Sequence, residues 1–429
     1  MIIYVVQPGD NIYSIAESHG VSAERLILEN EISNPNYLVI GQTVVILFPA
    51  QTYVVQEDDT LYSIAAAHNV SVMQLLRNNA YLADREYIYP GETLVISYVY
   101  EKARQISTNG YAFPFIERHE LRKVLPYLTY LTIFNYTVTA EGEINDIDDV
   151  ELIQIAKEYG VPSIMIISLL TQAGQPDIDA FHSIIISEEI QNRLINNVLS
   201  NMKAKGYYGL NVDFQNIMPE NRQLYNAFIQ KLSTRLHEEG FVLNITITQS
   251  TFINESGIMY RGNDYVSLGS DTDSIMLLSY EWGSRLGYPP GVIPVASVRS
   301  LLDFGITQVP PEKICIGVPN IGYIWQLPYI EGVTRANAIS YSYALELARE
   351  TGSVIQYDEL SAAPFFYCSD ICEFIVWFKD ARSINTLVGL VPEYGFEGIG
   401  CWNIMQFFSQ LWLVVNSQYE IEKIPEFGS

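Results

Sequence analysis

Basic residues are scarce in this sequence, long apolar runs are missing, and cysteine is confined to its last third. Twenty-four Lys and Arg stand against 49 Asp and Glu, a formal net charge of −25. A surface so acidic repels a phosphate backbone and an anionic bilayer, so neither nucleic acid nor a membrane is an expected partner. The longest near-continuous apolar run, Val161 to Leu170, falls well short of the roughly 20 residues that span a bilayer, and a soluble chain is expected. The opening residues, Met1 to Val6, carry neither a basic segment nor a small-residue cleavage site, so no secretory signal is expected. No cysteine precedes Cys315, which is not the pattern of a disulfide scaffold. Cys368 and Cys372 have no histidine near them and, with Cys315 and Cys401, read as reduced, packed thiols. The five histidines (His19, His68, His119, His182, His237) are scattered, so no metal and no cofactor is expected.

What is present is a chain of 429 residues, 48% hydrophobic, enough to fill the cores of about three domains. An internal repeat opens it: Tyr4 to Ala16 (YVVQPGDNIYSIA) returns as Tyr53 to Ala65 (YVVQEDDTLYSIA). Each copy reads as a short strand, an acidic turn able to cap a helix (Asp10; Asp59), and a helix with apolar spacing (Ile12, Ile15, Ala16; Leu61, Ile64, Ala65). A second helix follows near Ala23–Asn30 or Val72–Asn79, and a Gly-led strand closes the copy at Gly41–Ile46 or Gly91–Ile96. The unit is therefore a compact β-α-α-β fold. Most of its apolar positions, Tyr13 and Tyr62 included, are expected in the core of so small a unit.

This pattern resembles the LysM module, in two copies at about residues 1–48 and 51–97. The resemblance implies binding of N-acetylglucosamine-containing glycans, near Asp10, Asn11 and Ile12 in the first copy and Asp59, Thr60 and Leu61 in the second. The second copy has Glu57-Asp58 where the first has Pro8-Gly9, which predicts a different groove.

From about residue 101 to 425 the chain alternates strands with amphipathic stretches, the signature of a parallel α/β fold. Eight strand candidates are Gln105–Tyr111, Leu128–Asn135, Ser163–Leu169, Gly209–Phe214, Val242–Thr248, Ser274–Tyr280, Lys313–Val318 and Gly398–Asn403. Helices are predicted at Asp148–Tyr159, Glu188–Lys205, Glu220–Glu239, Ile293–Phe304 and Ala381–Tyr394, so the spacing predicts a (β/α)8 TIM barrel. The gap after strand seven is too long for one loop and one helix, which predicts an inserted α+β subdomain at about 320–378.

The fourth strand candidate, Tyr208 to Gln215 (YGLNVDFQ), carries the chemistry. Strand periodicity sends Leu210, Val212 and Phe214 toward the helices, and Asn211, Asp213 and Gln215 into the barrel. Burying two amides and a carboxylate is costly unless they bond one another or a ligand, and sites of this fold lie at the C-terminal strand ends. The segment resembles the strand-four signature of glycoside hydrolase family 18, D-G-x-D/N-x-D/N-x-E. That resemblance implies a substrate-assisted retaining mechanism, in which the terminal Glu protonates the glycosidic oxygen and the substrate's N-acetyl carbonyl attacks the anomeric carbon. Asn211 and Asp213 fall on the two inner positions, with Asp213 implied to orient the acetamido group.

Two departures stand out: Tyr208 replaces the leading Asp, and Gln215 stands at the proton donor. An amide has no proton to transfer near neutral pH, so hydrolysis is expected to be strongly impaired while binding survives. Either Gln215 was introduced to trap substrate or the chain has lost catalysis naturally. Strand six ends in Met276 to Trp282 (MLLSYEW), resembling the family's M-x-Y-D, with Tyr280 implied to hydrogen-bond the acetamido group and Glu281 in place of Asp; Met276, Glu281 and Trp282 are candidate substrate contacts. Strand eight ends at Trp402, implied to floor the sugar subsite. The tandem LysM units, the run Trp325 to Tyr329 and the run Val376 to Ser383 resemble spore cortex-lytic N-acetylglucosaminidases. A bacterial-spore location and spore-cortex peptidoglycan as partner are what this resemblance implies, with a non-catalytic glycan-binding or coat protein and a chitinase as alternatives.

Overall fold

The computed structural model describes every residue except 84, 86, 172–173, 216, 249, 255–256, 262, 279–294, 331–332, 369–372 and 426–429, and for 248, 250–254 and 257–261 it describes the backbone alone. The repeat folds as two small units of the same design. In the first, Ile2–Val5 pairs antiparallel with Thr43–Ile46 around helices Ile12–His19 and Ala23–Glu29. In the second, Pro49–Val54 pairs with Thr93–Tyr98 around Leu61–Ala67 and Val72–Asn78. Ile12, Ile15, Leu26 and Val44 close one core, and Ile64, Leu75, Leu94 and Ile96 the other.

The helix caps fall one residue later than expected. Asn11 and Thr60 accept from the backbone N–H of Ser14 and Ser63, whose hydroxyls accept in return from the cap N–H groups. Asp10 and Asp59 instead close the preceding turn, each accepting from a tyrosine hydroxyl (Tyr4, Tyr53; 2.8 Å) and a backbone N–H (Gln7, Gln56; 2.7 Å). The exchange of Pro8-Gly9 for Glu57-Asp58 leaves this turn unchanged, because Asp58 takes the same left-handed conformation (φ 68°) as Gly9 (φ 92°). Tyr13 and Tyr62 are not core: they sit beside the buried stripe and are 52% and 77% exposed.

The remainder is a closed parallel barrel. Strands Arg104–Ala112, Tyr130–Thr137, Ser163–Ser168, Gly209–Asp213, Val242–Thr248, Ser274–Leu278, Ile314–Pro319 and Gly398–Trp402 pair in chain order, and the last pairs back onto the first. All eight predicted strands occur, with ends moved by a few residues; Leu125–Tyr127, for instance, forms a 3-10 turn and delays strand two to Tyr130. A ninth strand, Tyr419–Ile421, runs parallel to the start of strand one. The predicted helices are present, and among the described residues Arg118–Val124, Ile178–Ile186, Tyr265–Asp271 and Ser409–Gln418 join them around the barrel.

Period-two alternation sorts the strand side chains. Leu210, Val212 and Phe214 join the large core shared with the helices, whereas Tyr111, Ile166, Met276 and Cys315 cluster inside the barrel with Phe134 and Trp402. Strand eight keeps the interior from overfilling. A Cβ on Gly400 would lie 2.3 Å from a Met276 side-chain carbon and 3.2 Å from the Tyr111 ring.

Between strand seven and its helix lies a five-stranded antiparallel sheet (Gly322–Gln326, Asn337–Ile339, Gln356–Asp358, Ala363–Cys368, Phe374–Trp377) with helix Tyr341–Glu350 on one face. Cys315, Cys368 and Cys401 are buried, and Cys372 lies outside the described residues. No described helix is long and apolar enough to cross a membrane.

The two small units are seated on the barrel by polar as well as apolar contacts. Arg77 of the second unit donates to the carbonyl of Pro126 (3.0 Å), and Tyr127 returns a hydroxyl to the Arg77 carbonyl (2.8 Å). In the first unit Gly41, at φ +87°, brings its backbone so close to the inserted subdomain that a Cβ would lie 2.0 Å from the Ile355 carbonyl oxygen.

Candidate active site

The polar side chains of strand four meet at the mouth of the barrel. Asn211, 1% exposed, accepts from the Thr246 hydroxyl (2.9 Å) and directs its Nδ2 at the Tyr111 hydroxyl (3.4 Å). Strand five beside it and strand one, three strands away around the barrel, thus hold the amide in one orientation. Burial pushes the Tyr111 phenol up, so it stays neutral and able to share hydrogen bonds with Asn211 and Thr246. One step further along strand four, the buried Asp213 faces Gln215, whose Nε2 lies 3.4 Å from both carboxylate oxygens. At the adjoining strand ends Ser168 donates to the Asn135 side-chain oxygen (2.6 Å).

An aromatic floor completes the mouth. The Trp402 ring packs against Phe134 (5.0 Å between centroids), Tyr111 (5.8 Å) and Phe113 (5.9 Å), edge-on or tilted. Tyr111 thereby touches both Asn211 and Trp402, and joins the polar and aromatic halves of the site. Sequence reasoning missed Tyr111 and Thr246; both stand at inward positions of their strands, two residues beyond Asn109 and Asn244, and counting by twos on strands one and five finds them. Met276 does not line the open mouth as expected. It is buried in the interior cluster beneath it, because its place in strand six points at Gly400 and Tyr111. Tyr280, Glu281 and Trp282 lie outside the described residues.

Below this layer a cavity of about 70 Å³ is lined by Asn109, Asn211, Asn244, Ser274, Cys315 and Glu397. Glu397 accepts from the Ser274 hydroxyl (2.6 Å). Desolvation holds its carboxyl above the ordinary carboxylate range, against the opposing pull of Ser274 and Cys315. Between the unfolded and folded pKa values the native chain therefore binds more protons than the unfolded one, so Glu397 subtracts stability as pH rises. The Glu397→Gln variant should gain on the parent as pH rises through and above the ordinary carboxylate range. Thermal midpoints of both proteins across that range would show it, and parallel curves would refute it.

In the small units Asp10, Asn11, Asp59, Thr60 and Leu61 lie at the strand–helix turn. Ile12 is fully buried in the first unit's core, so its side chain presents no surface to a ligand.

Comparison with known proteins covers both parts of the chain. A model described as Glycosyl hydrolases family 18 matches residues 98–406, and one described as LysM domain matches residues 4–47 and 53–97. The cortical fragment-lytic enzyme of Bacillus subtilis (strain 168) is 34% identical over 432 residues, 99% of this chain and 99% of the relative. The cortical fragment-lytic enzyme of Bacillus anthracis is 30% identical over 98% of this chain and 99% of its own length. The crystal structure of the Bacillus megaterium QM B1551 spore cortex-lytic enzyme SleL superposes with a TM-score of 0.81 at 31% identity, covering 98% of this chain and 99% of that one.

Proposed function

The chain belongs to glycosyl hydrolase family 18, and from that premise we propose that it holds N-acetylglucosamine-containing glycan of spore-cortex peptidoglycan across an N-acetylglucosaminidase site whose acid position is an amide. The observation that carries this reading is Gln215 facing the Asp213 carboxylate at 3.4 Å, where a proton donor would have to stand. Trp402 floors the sugar. Asp213 orients the acetamido group for its attack on the anomeric carbon, and Asn211, held by Tyr111 and Thr246, keeps Asp213 company as a fixed dipole. Tyr280 supplies the acetamido hydrogen bond and Glu281 and Trp282 further contacts. With Gln215 in place the sequence of steps stops before the leaving oxygen is protonated, so the chain binds glycan and leaves it uncut. The names of its relatives support the cortex as substrate and the spore as location.

Trp402→Ala tests the site. Losing the aromatic surface beneath a pyranose should cost about 2 kcal/mol, roughly a 30-fold rise in Kd. Calorimetric titration with cortex fragments would read it, while mass spectrometry of the recovered ligand should find it intact in both proteins. Unchanged affinity in the alanine variant would refute the proposed floor.

A further inference from the structure

Where the first LysM unit, the inserted subdomain and the barrel rim meet, an open cleft of about 140 Å³ is left between them. Its walls carry Ser33, Asn34 and Tyr37 from the LysM unit, Ser342 from the inserted helix, and Asn320 and Gln406 from the rim. The charges on the walls are paired: Glu31 with Lys123 (3.0 Å) and Glu346 with Arg349 (3.7 Å). What remains free to recognise a ligand is neutral, namely amides, hydroxyls and the Tyr37 ring, which is 73% exposed. Amides and hydroxyls beside an exposed aromatic face suit a neutral, polyhydroxylated ligand with one apolar face. The cleft is small beside pockets that enclose a whole drug-sized ligand, about 300–1,000 Å³, and suits about one sugar of a longer chain.

Two features make it more than a gap between modules. Its base is rigid, because the buried Gln410 side chain bonds all three parts at once. Its rim is also continuous with the aromatic floor of the barrel. Asn320 donates its backbone N–H to the Trp402 carbonyl (2.9 Å) and its Nδ2 to the carbonyls of Asn403 (3.2 Å) and Gln406 (3.1 Å). A strand crossing Trp402 and leaving over Asn320 therefore runs into the cleft.

We infer that this cleft is a distal glycan subsite, shared by the first LysM unit, the inserted subdomain and the barrel, that takes a neutral sugar of the same strand whose end lies over Trp402. The inference rests on the proposed function of the barrel mouth. It makes the LysM unit part of the barrel's own binding site, and affinity should then depend on glycan length.

The test uses the full chain with Gln215 in place and two probes, the disaccharide and the hexasaccharide of N-acetylglucosamine. Ser342→Trp and Ser33→Trp, at exposed positions on opposite walls, each fill the cleft. Either should weaken the hexasaccharide about tenfold or more and leave the disaccharide unchanged, whereas Trp402→Ala should weaken both. The cleft proposal is overturned, with the barrel reading intact, if both tryptophan variants bind the hexasaccharide like the parent while Trp402→Ala weakens both probes. It is also overturned if the parent binds the hexasaccharide no tighter than the disaccharide. If Trp402→Ala changes neither probe, the barrel reading fails and takes the cleft proposal with it.

Discussion

Gln215→Glu should raise release of reducing sugar from cortex fragments by about 10²–10⁴-fold, the usual worth of a positioned general acid. The two side chains have nearly the same shape, so the substitution changes the chemistry at that point and leaves the packing alone. The setting also favours a useful acid. Gln215 lies 3.4 Å from both oxygens of Asp213, so an introduced carboxyl would face a carboxylate at about that distance. Two carboxylates so close do not both ionise readily, and one pKa of the pair is raised toward neutrality. The introduced group would thus hold its proton where the leaving oxygen needs it. The pH–rate profile should be bell-shaped, and adding Asp213→Asn should remove both the rate gain and the bell. A Gln215→Glu chain that still binds fragments and shows no gain in rate would mean that catalysis has been lost elsewhere, and the binding reading alone would stand.

How much of this was legible in the sequence depends on whether a residue's role is set by its own strand or by another part of the chain. Asn211, Asp213 and Gln215 could be placed because a period of two is a local rule, and the eight strands could be counted because each is short, apolar and bounded by turn residues. Helix Ser409–Gln418 could not, since it is buried along almost its whole length and its apolar residues show no stripe. The caps were displaced by one residue because Asp, Asn and Thr are all good caps, and only the tyrosine hydroxyls of Tyr4 and Tyr53 decide that the aspartates serve the turn. Ile12 and Met276 were assigned to ligand surfaces from the family resemblances, yet burial takes both inward. The seating of the small units on the barrel left no signal, because the residues that make it are 49 to 367 positions apart.

Gln410 shows what that long-range contact is worth. It is 1% exposed, and every hydrogen-bonding position of its amide is used. The oxygen accepts from the Thr43 hydroxyl (2.7 Å) of the first LysM unit and from the Ala381 N–H (2.8 Å) that opens a barrel helix. The nitrogen donates to the Thr43 carbonyl (2.7 Å) and to the Tyr341 hydroxyl (2.8 Å) of the inserted helix. Gln410→Leu keeps the volume and strands these partners in a buried place, at about 1–3 kcal/mol for each that finds no substitute, so a loss of about 4 kcal/mol is expected. Thr43→Val removes one donor, leaves the other contacts of the amide in place, and should cost about 1 kcal/mol. Urea midpoints would rank the two variants, and amide exchange would show where the loss falls, with protection lowered at Thr43–Ile46 and Tyr341–Glu350 before the barrel strands. Equal costs for the two substitutions would show that Gln410 is one contact among many. A much larger cost for Gln410→Leu, accompanied by loss of the hexasaccharide's advantage over the disaccharide, would show that one amide holds the LysM unit where the glycan strand leaves the barrel.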